Sequence, residues 1–341
     1  MRASTKQPQG DVIEYKDFLG ISNAKDLTRI PKGYLLRAVN FDVDVEMMLH
    51  RRRGYKILLP IGSHSLWSNE FVCFFVSNGD LYRLMDDLTY SVILAEVGDN
   101  RMEYIDVNGI VYFTNNQIIG YVQDGVAYPF PEVDEEYKVK MIGGTILEFL
   151  NSRLYTVQDD TIFFSDAARP MVMDARHNFV QLSGKIRMLQ AVVDGLYVSA
   201  GEHVFFMHEH VKPTTGHGGD DPPKWKYIPI IDVPCFEGMS IKIEGEKISP
   251  KIEAKVIIWP GGEGCFLGKP GGEFERLTGR NFFLDGVANG AGAFLVRSLH
   301  GHFNPGFPQY VGVYNMLPGF GEGESSLELP ILTTQGVGKT S

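Results

Sequence analysis

Apolar residues in this chain come in short bursts of about four to seven, rich in Val, Ile, Phe and Tyr. The bursts are bounded by Asn-Gly, Asp-Gly or Gly-Gly, the dipeptides that supply the positive φ of a tight hairpin turn. Few windows keep a helical period; the stretch Lys25 to Asn40 is the best helix candidate, interrupted by Pro31 and Gly33. Aligned on an aromatic residue, a unit recurs: Asn78-Gly-Asp-Leu-Tyr82, Asn108-Gly-Ile-Val-Tyr112, Asn151-Ser-Arg-Leu-Tyr155 and Asp194-Gly-Leu-Tyr197, with a looser copy ending at Trp259. These aromatics step by 30, 43, 42 and 62 residues. Steps of about 40 residues, each holding three or four short strands, are what a β-propeller blade requires.

One unit parses completely, as Met102–Val107, Ile110–Thr114, Gln117–Val122 and Val126–Phe130 joined by turns at Asn108-Gly109, Asn115-Asn116 and Asp124-Gly125. A four-stranded meander of this size cannot bury both faces alone, so successive units must stack. The expectation is an all-β chain, a β-propeller of about five to seven blades built from four-stranded antiparallel meanders. Five units fall between about Ser63 and Leu277, with one or two more from Asn281 to Tyr314 and the N-terminal strands. Residues 1–17 read as a polar arm, 18–314 as the propeller and 315–341 as a C-terminal arm with a late strand at Leu327 to Leu332. Residues 212–226, around Gly-Gly-Asp-Asp-Pro-Pro, read as a long loop inserted in a blade.

Composition narrows the function. With 32 basic and 42 acidic side chains the net charge is −10, against a protein whose task is to coat nucleic acid. The three cysteines, Cys73, Cys235 and Cys265, have neither disulfide-framework nor zinc spacing and read as small buried groups. The first ten residues lack a signal-like apolar run and no stretch approaches a membrane span, so the expectation is a soluble protein of a reducing compartment, without membrane insertion.

Several patterns suggest chemistry and are weighed against plainer roles. His203, His208, His210 and His217 cluster, and His208 with His210 share a strand face, a spacing open to a metal chelate or to a solvated hairpin; Glu209 points the other way. Asn40, Asp42, Asp44 and Glu46 alternate on one side of a strand. An EF-hand would need glycine and glutamate where Val45 and Arg51 stand, so the preferred role is ion pairing with Arg51, Arg52 and Arg53 of the next strand or of a neighbouring subunit. Pro260 to Gly268 reads as a hairpin turn, and Gly336 to Ser341 lacks the first glycine of a phosphate loop. No nucleophile elbow, zincin helix or Asp box is present, although an acid pair across the mouth of the ring is left open. The site expectation is therefore no catalytic, cofactor or metal residue. Assembly contacts are expected at Arg51, Arg52, Arg53, Asp42 and Asp44, and loop contacts at His208, His210, His217, Asp220 and Asp221.

Asp17-Phe-Leu-Gly-Ile-Ser-Asn, the strand Asn40-Phe-Asp42-Val-Asp44 and Leu49-His-Arg-Arg-Arg-Gly-Tyr55 together resemble the opening of a family of tailed-bacteriophage virion proteins, with its NxDxD strand and RRxGY turn. Val256 to Thr278 resembles a late blade of that family. Arg53 stands where the family has proline. The resemblance implies a non-enzymatic structural protein of the tail, a propeller assembling with its own copies into a nozzle or hub ring around the DNA exit channel. Its partners would be adaptor, portal-proximal or fibre proteins, with phage DNA passing unbound; it would sit in the virion after assembly in the host cytoplasm. The competing expectation is a carbohydrate- or receptor-binding propeller at the tail tip, with or without glycan hydrolase activity, whose site lies on the axis.

Overall fold

The computed structural model describes residues 18–23, 30–35, 38–39, 41–43, 49–51, 56–69, 71–209, 224–279, 282–284, 286–297, 307–316, 330–333 and 336–339. Five four-stranded antiparallel meanders follow one another along the chain. Sheet one is His64–Ser68, Cys73–Ser77, Asp80–Leu84 and Tyr90–Leu94; sheet two is Glu103–Val107, Ile110–Thr114, Ile119–Gln123 and Val126–Pro129. Sheet three is Leu147–Leu150, Arg153–Gln158, Thr161–Phe164 and Phe179–Gln181; sheet four is Ile186–Val192, Gly195–Ala200, His203–Glu209 and Trp225–Ile231. Sheet five is Ile241–Glu244, Lys255–Gly261, Gly264–Gly268 and Phe274–Arg276. Sheet six has five strands: Val287–Arg297, Phe307–Met316, Pro330–Thr333, Gly336–Lys339 and, parallel to the last, Ala38–Val39.

The hairpins form where the dipeptides place them. Asn78-Gly79, Asn108-Gly109 and Asp124-Gly125 have positive φ at both positions, the mirror-image turn whose twist matches its flanking strands. Asn151-Ser152 adopts the same turn without a glycine, so Ser152 carries a Cβ at φ +61°. The expected helix between Lys25 and Asn40 is not formed where it is described. Pro31 and Gly33 make a turn closed by the Tyr34 N–H on the Pro31 carbonyl, with Gly33 at φ +91°, and Tyr34–Leu35 continues as a strand beside Gly20–Ile21.

Each pair of successive sheets encloses its own apolar cluster. Phe74 and Val76 of sheet one meet Val111 and Phe113 of sheet two. Tyr112 of sheet two meets Leu147 and Leu154 of sheet three, and Tyr155 and Val157 meet Leu196 and Val198 of sheet four. Tyr197 meets Ile257 and Trp259 of sheet five, and Val256 and Ile258 meet Val287 and Tyr310 of sheet six. First strands abut first strands from sheet two through sheet six, which makes them the inner strands of a β-propeller.

This packing corrects the phase of the sequence repeat. Tyr112, Tyr155 and Tyr197 do occupy one position, the middle of a second strand facing the following sheet. Tyr82 lies in the third strand of its sheet, and Trp259 faces the preceding sheet. Their true equivalents are Phe74 and Ile258, both buried and facing onward. The stretch assigned to a C-terminal arm supplies two strands to sheet six, because Pro330–Thr333 and Gly336–Lys339 satisfy their backbones within the chain. The inserted loop closes earlier than expected, at the strand beginning with Trp225; residues 210–223 lie outside the described residues.

Outside the ring, Lys138–Lys140 pairs with Val172–Asp174 as a small satellite sheet between sheets two and three. Asp174 accepts three bonds from Arg176, at 3.0 Å from its backbone N–H, 3.0 Å from Nε and 2.8 Å from Nη2, while the Arg176 guanidinium lies 4.0 Å from the Tyr137 ring centre. Lys138 Nζ is 2.8 Å from Asp166 and 3.5 Å from Asp174. The Arg176 bonds hold the Asp174 carboxyl well below the usual carboxylate range. A depressed carboxyl stabilises the fold above the pKa it has when unfolded, and that stability is lost as pH falls toward the folded value. Asp174→Asn is therefore expected to lose about 1–2 kcal/mol at pH 7, with the gap to the native chain narrowing from pH 5 toward pH 2, as urea denaturation at each pH will show. At the hairpin, Ser152→Gly is expected to gain about 0.5–1 kcal/mol by removing a left-handed Cβ, and Gly109→Ala to lose about 1 kcal/mol, both read from urea midpoints.

Candidate functional site

The strands that line the axis bring together polar residues from four sheets. A cavity of about 220 Å³ is lined by Asn100, Arg101, Glu103, Asn115 and Asn116 of the second sheet region, Thr145 and Ile146 before the third, Arg187 and Gln190 of the fourth, and Glu237, Gly238 and Ser240 before the fifth. Most stand just before or at the start of an inner strand, so the ring gathers them although they are far apart in sequence.

Most of the charges in this cavity are already engaged. Arg101 donates from Nε to Glu103 Oε1 at 2.7 Å, from Nη1 to the Gly290 carbonyl at 2.7 Å and from Nη2 to the Gly238 carbonyl at 3.0 Å. One guanidinium thus ties sheet two to the entry of sheet five and to the inner strand of sheet six. Glu237 accepts from Lys185 at 2.6 Å, and its backbone carbonyl accepts from the Gly290 N–H at 2.9 Å. Arg187 donates to the Gly201 carbonyl at 2.6 Å, and Gln190 reaches the Ser240 hydroxyl at 3.3 Å. Asn115 is structural, its amide bonding the Val97 carbonyl while its oxygen accepts from the N–H groups of Gln117 and Ile118. Asn100 and Asn116 are exposed at the cavity, and Asn116 sits at φ +71°.

Deeper among the inner strands, Glu148 is 2% exposed and joins three sheets. Its Oε1 accepts from the Phe149 N–H at 2.8 Å and is paired with Lys242 Nζ; its Oε2 accepts from the Ala191 N–H at 2.9 Å. A buried carboxylate is tolerable only with such a full set of partners.

Chemically, the arrangement offers groups that can hold a ligand. Both cavity carboxylates, Glu103 and Glu237, are bound to cations, so neither is the unpaired partner that an acid–base couple across the axis requires. The cavity otherwise offers amides and hydroxyls, groups that recognise hydroxyl-rich or amide-bearing ligands. Among the described residues no group of three or more His, Cys, Asp or Glu is placed to hold a metal ion. No helix of the described residues is long and apolar enough to cross a membrane.

The residues singled out in the sequence lie elsewhere. The strands Phe41–Val43 and Leu49–Arg51 pair as a hairpin, with Asp42 level with His50 and Arg51 level with Phe41 instead of an acidic residue. Asp44, Arg52 and Arg53 lie outside the described residues, as do His210, His217, Asp220 and Asp221. His208 lies on the third strand of sheet four, its ring stacked 6.1 Å from Phe206, and His203 is bonded to Asp232 at 2.8 Å. Five places apart on one strand, these two histidines take opposite faces. Cys235 and Cys265 are buried, and burial pushes both thiols up; Cys73 is half-buried. The hairpin expected at Pro260 to Gly268 is present, with Gly261 level with Gly264. Sequence reading missed Arg101, Glu237, Glu148 and Lys242. Their shared signal is phase, since each sits at or just before an inner strand, and only alignment on first strands would have exposed it.

No protein-family model matches the chain and no curated protein does. Among solved structures it is similar to the extracellular domain of BT4673 from B. thetaiotaomicron, with 10% identity and a TM-score of 0.43 over 82% of this chain and 38% of that one. It is also similar to streptogramin B lyase, with 11% identity and a TM-score of 0.44 over 82% of each chain. A third is PorZ, a bacterial surface component of the type-IX secretion system of Porphyromonas gingivalis, with 9% identity and a TM-score of 0.34 over 82% of this chain and 44% of that one. The chain thus spans less than half the length of the first and third of these, and likeness at this level ties it to none of their activities.

The Glu148 pairing has a measurable signature. Lys242→Met is expected to cost about 2–3 kcal/mol, less than for a fully buried pair because Lys242 is 24% exposed. Glu148→Gln with Lys242→Met should recover at least half of that loss, and a double-mutant cycle by urea denaturation measures it.

Proposed function

We propose that this chain is a non-enzymatic structural subunit of a bacteriophage tail, a propeller that joins its own copies in a nozzle or hub ring around the DNA exit channel. The supporting observation is the uneven spread of apolar surface. Sheet one and the segment leading into it carry nine of the twenty large apolar side chains exposed among the described residues, including Ile61 at 94% and Phe71 at 82%. The others are Ile57, Leu58, Leu66, Met85, Leu88, Tyr90 and Val92. Concentrated apolar surface of this kind is a mark of an interaction site, whereas scattered single residues are ordinary. The sequence resemblance supplies the setting, and the paired state of the axial charges favours a scaffold over an acid–base catalyst. A chain of net charge −10 repels the phosphate backbone, which suits a channel that DNA must traverse without being held.

A second reading has its own observation, the axial cavity with its amides, hydroxyls and two arginines, which suits a glycan or receptor group at a tail tip. A glycan array separates the two: reproducible binding lost in Gln190→Ala favours this one.

For the ring, analytical ultracentrifugation of the full chain is expected to show species larger than a dimer. Ile61→Asp with Phe71→Asp should abolish them while shifting the melting temperature by less than about 2 °C, since both side chains are exposed. Persistence of the large species in that variant, or a native chain that never exceeds a dimer, would overturn the ring. Tight, salt-sensitive binding of duplex DNA at physiological salt would overturn its role as a passive channel.

A further inference from the structure

The inner strand of sheet six differs from the other inner strands. It has 11 residues, Val287–Arg297, against four to seven in sheets one to five. It is paired along its length with Phe307–Met316, in a register unbroken from Asn289↔Asn315 to Arg297↔Phe307, and its other edge is engaged only near its start, where Asn289 bridges Glu237 in parallel.

The Gly290 N–H donates to the Glu237 carbonyl and the Gly290 carbonyl accepts from Arg101, so both groups of Gly290 point away from the partner strand. In an antiparallel ladder alternate residues direct both groups to the same side. Gly292, Phe294 and Val296 therefore present N–H and C=O to the open edge. None of these groups has a hydrogen-bond partner among the described residues. The strand carries no charge from Val287 to Val296 and no proline, so it lacks the usual devices that keep an edge from pairing with another chain.

We propose that this edge is a strand-addition site and that its occupant is the same strand of a second copy, antiparallel across a twofold axis through Phe294. The spacing fits such pairing. With Phe294 level with its own copy, Gly292 falls level with Val296 and Val296 with Gly292. All three outward-facing residues then meet outward-facing residues, and each pair exchanges two hydrogen bonds. Each Arg297 falls level with the other copy's Ala291 in this register. A charged or proline-bearing strand would lose these bonds or bury an unpaired charge, so the uncharged strand itself is the best-matched partner. The contact is isologous and stands whether or not the chain serves a tail, because a ring of like-oriented copies needs a head-to-tail contact.

The test uses Val296→Pro in the full chain. Proline removes an N–H that faces the open edge, where edge strands tolerate it, so folding should be unaffected. Leu295→Pro is the control, because its N–H faces Gln309 across the ladder, and it should lower the melting temperature. In sedimentation equilibrium the native chain is expected to dimerise, Val296→Pro to weaken the dimer tenfold or more, and Ile61→Asp with Phe71→Asp to leave it intact. An independent readout is hydrogen exchange on the native chain: the Phe294 and Val296 amides should gain protection as concentration rises, while Leu295 is protected throughout. A native chain monomeric at every concentration, an equally tight dimer in Val296→Pro, or protection of Phe294 and Val296 that ignores concentration would each overturn the proposal. Loss of large species with retention of the dimer would count against the ring reading alone.

Discussion

Burial between sheets is the constraint on which everything else here depends. A four-stranded sheet has two faces, and each of the middle sheets hides both by lying between neighbours; Tyr155 and Leu154, adjacent in one strand, serve opposite neighbours and are both fully buried. No sheet has a core of its own, so the stability of each is shared with the next. The aromatic at the middle of the second strand fills most of that shared space. Tyr197 shows how fully it is fitted: its ring lies against Trp259 and Phe206, and its hydroxyl is 2.6 Å from the carbonyls of Lys269 and Glu273 in the next sheet.

Stacking the sheets fan-wise has an electrostatic consequence. Inner strands converge, and whatever polar residues they begin with are forced into one narrow space. At Glu148, which is buried, water is scarce and the charge must find partners, which accounts for its two amides and a lysine; Arg101 spans three sheets in a more exposed part of the same space. These contacts work as cross-braces that also link sheets sharing no apolar cluster, sheet two with sheets five and six and sheet three with sheet five. The same crowding explains why the axis offers recognition by amides and hydroxyls more readily than free titratable groups.

Much of this was legible in the sequence, for reasons that can be named. Asn-Gly and Asp-Gly dictate a turn by local sterics alone, so hairpins such as Val107 to Ile110 could be placed to within a residue. Facing direction is a different kind of information. Tyr82 and Trp259 look like their counterparts in composition, but Tyr82 belongs to a different strand of its sheet, and at Trp259 a one-residue change of phase turns the side chain to the other face, which only packing against a neighbour reveals. The axial contacts were hidden for a related reason: Arg101 and Gly290 are 189 residues apart, and nothing local to either marks the other. The helix expected near Lys25 failed because its period was read across a Pro-Lys-Gly turn that closes on itself.

The parallel pairing of Ala38–Val39 with Gly336–Lys339 makes sheet six the meeting place of early and late segments of the polypeptide. During synthesis, sheets one to five can dock one upon another as they emerge, each finding a neighbour already made. Sheet six cannot be finished that way, because one of its five strands has been waiting since the beginning while the other four arrive last. Completion of this sheet is therefore a late, long-range event, slow compared with hairpin formation and the step most exposed to capture by another chain.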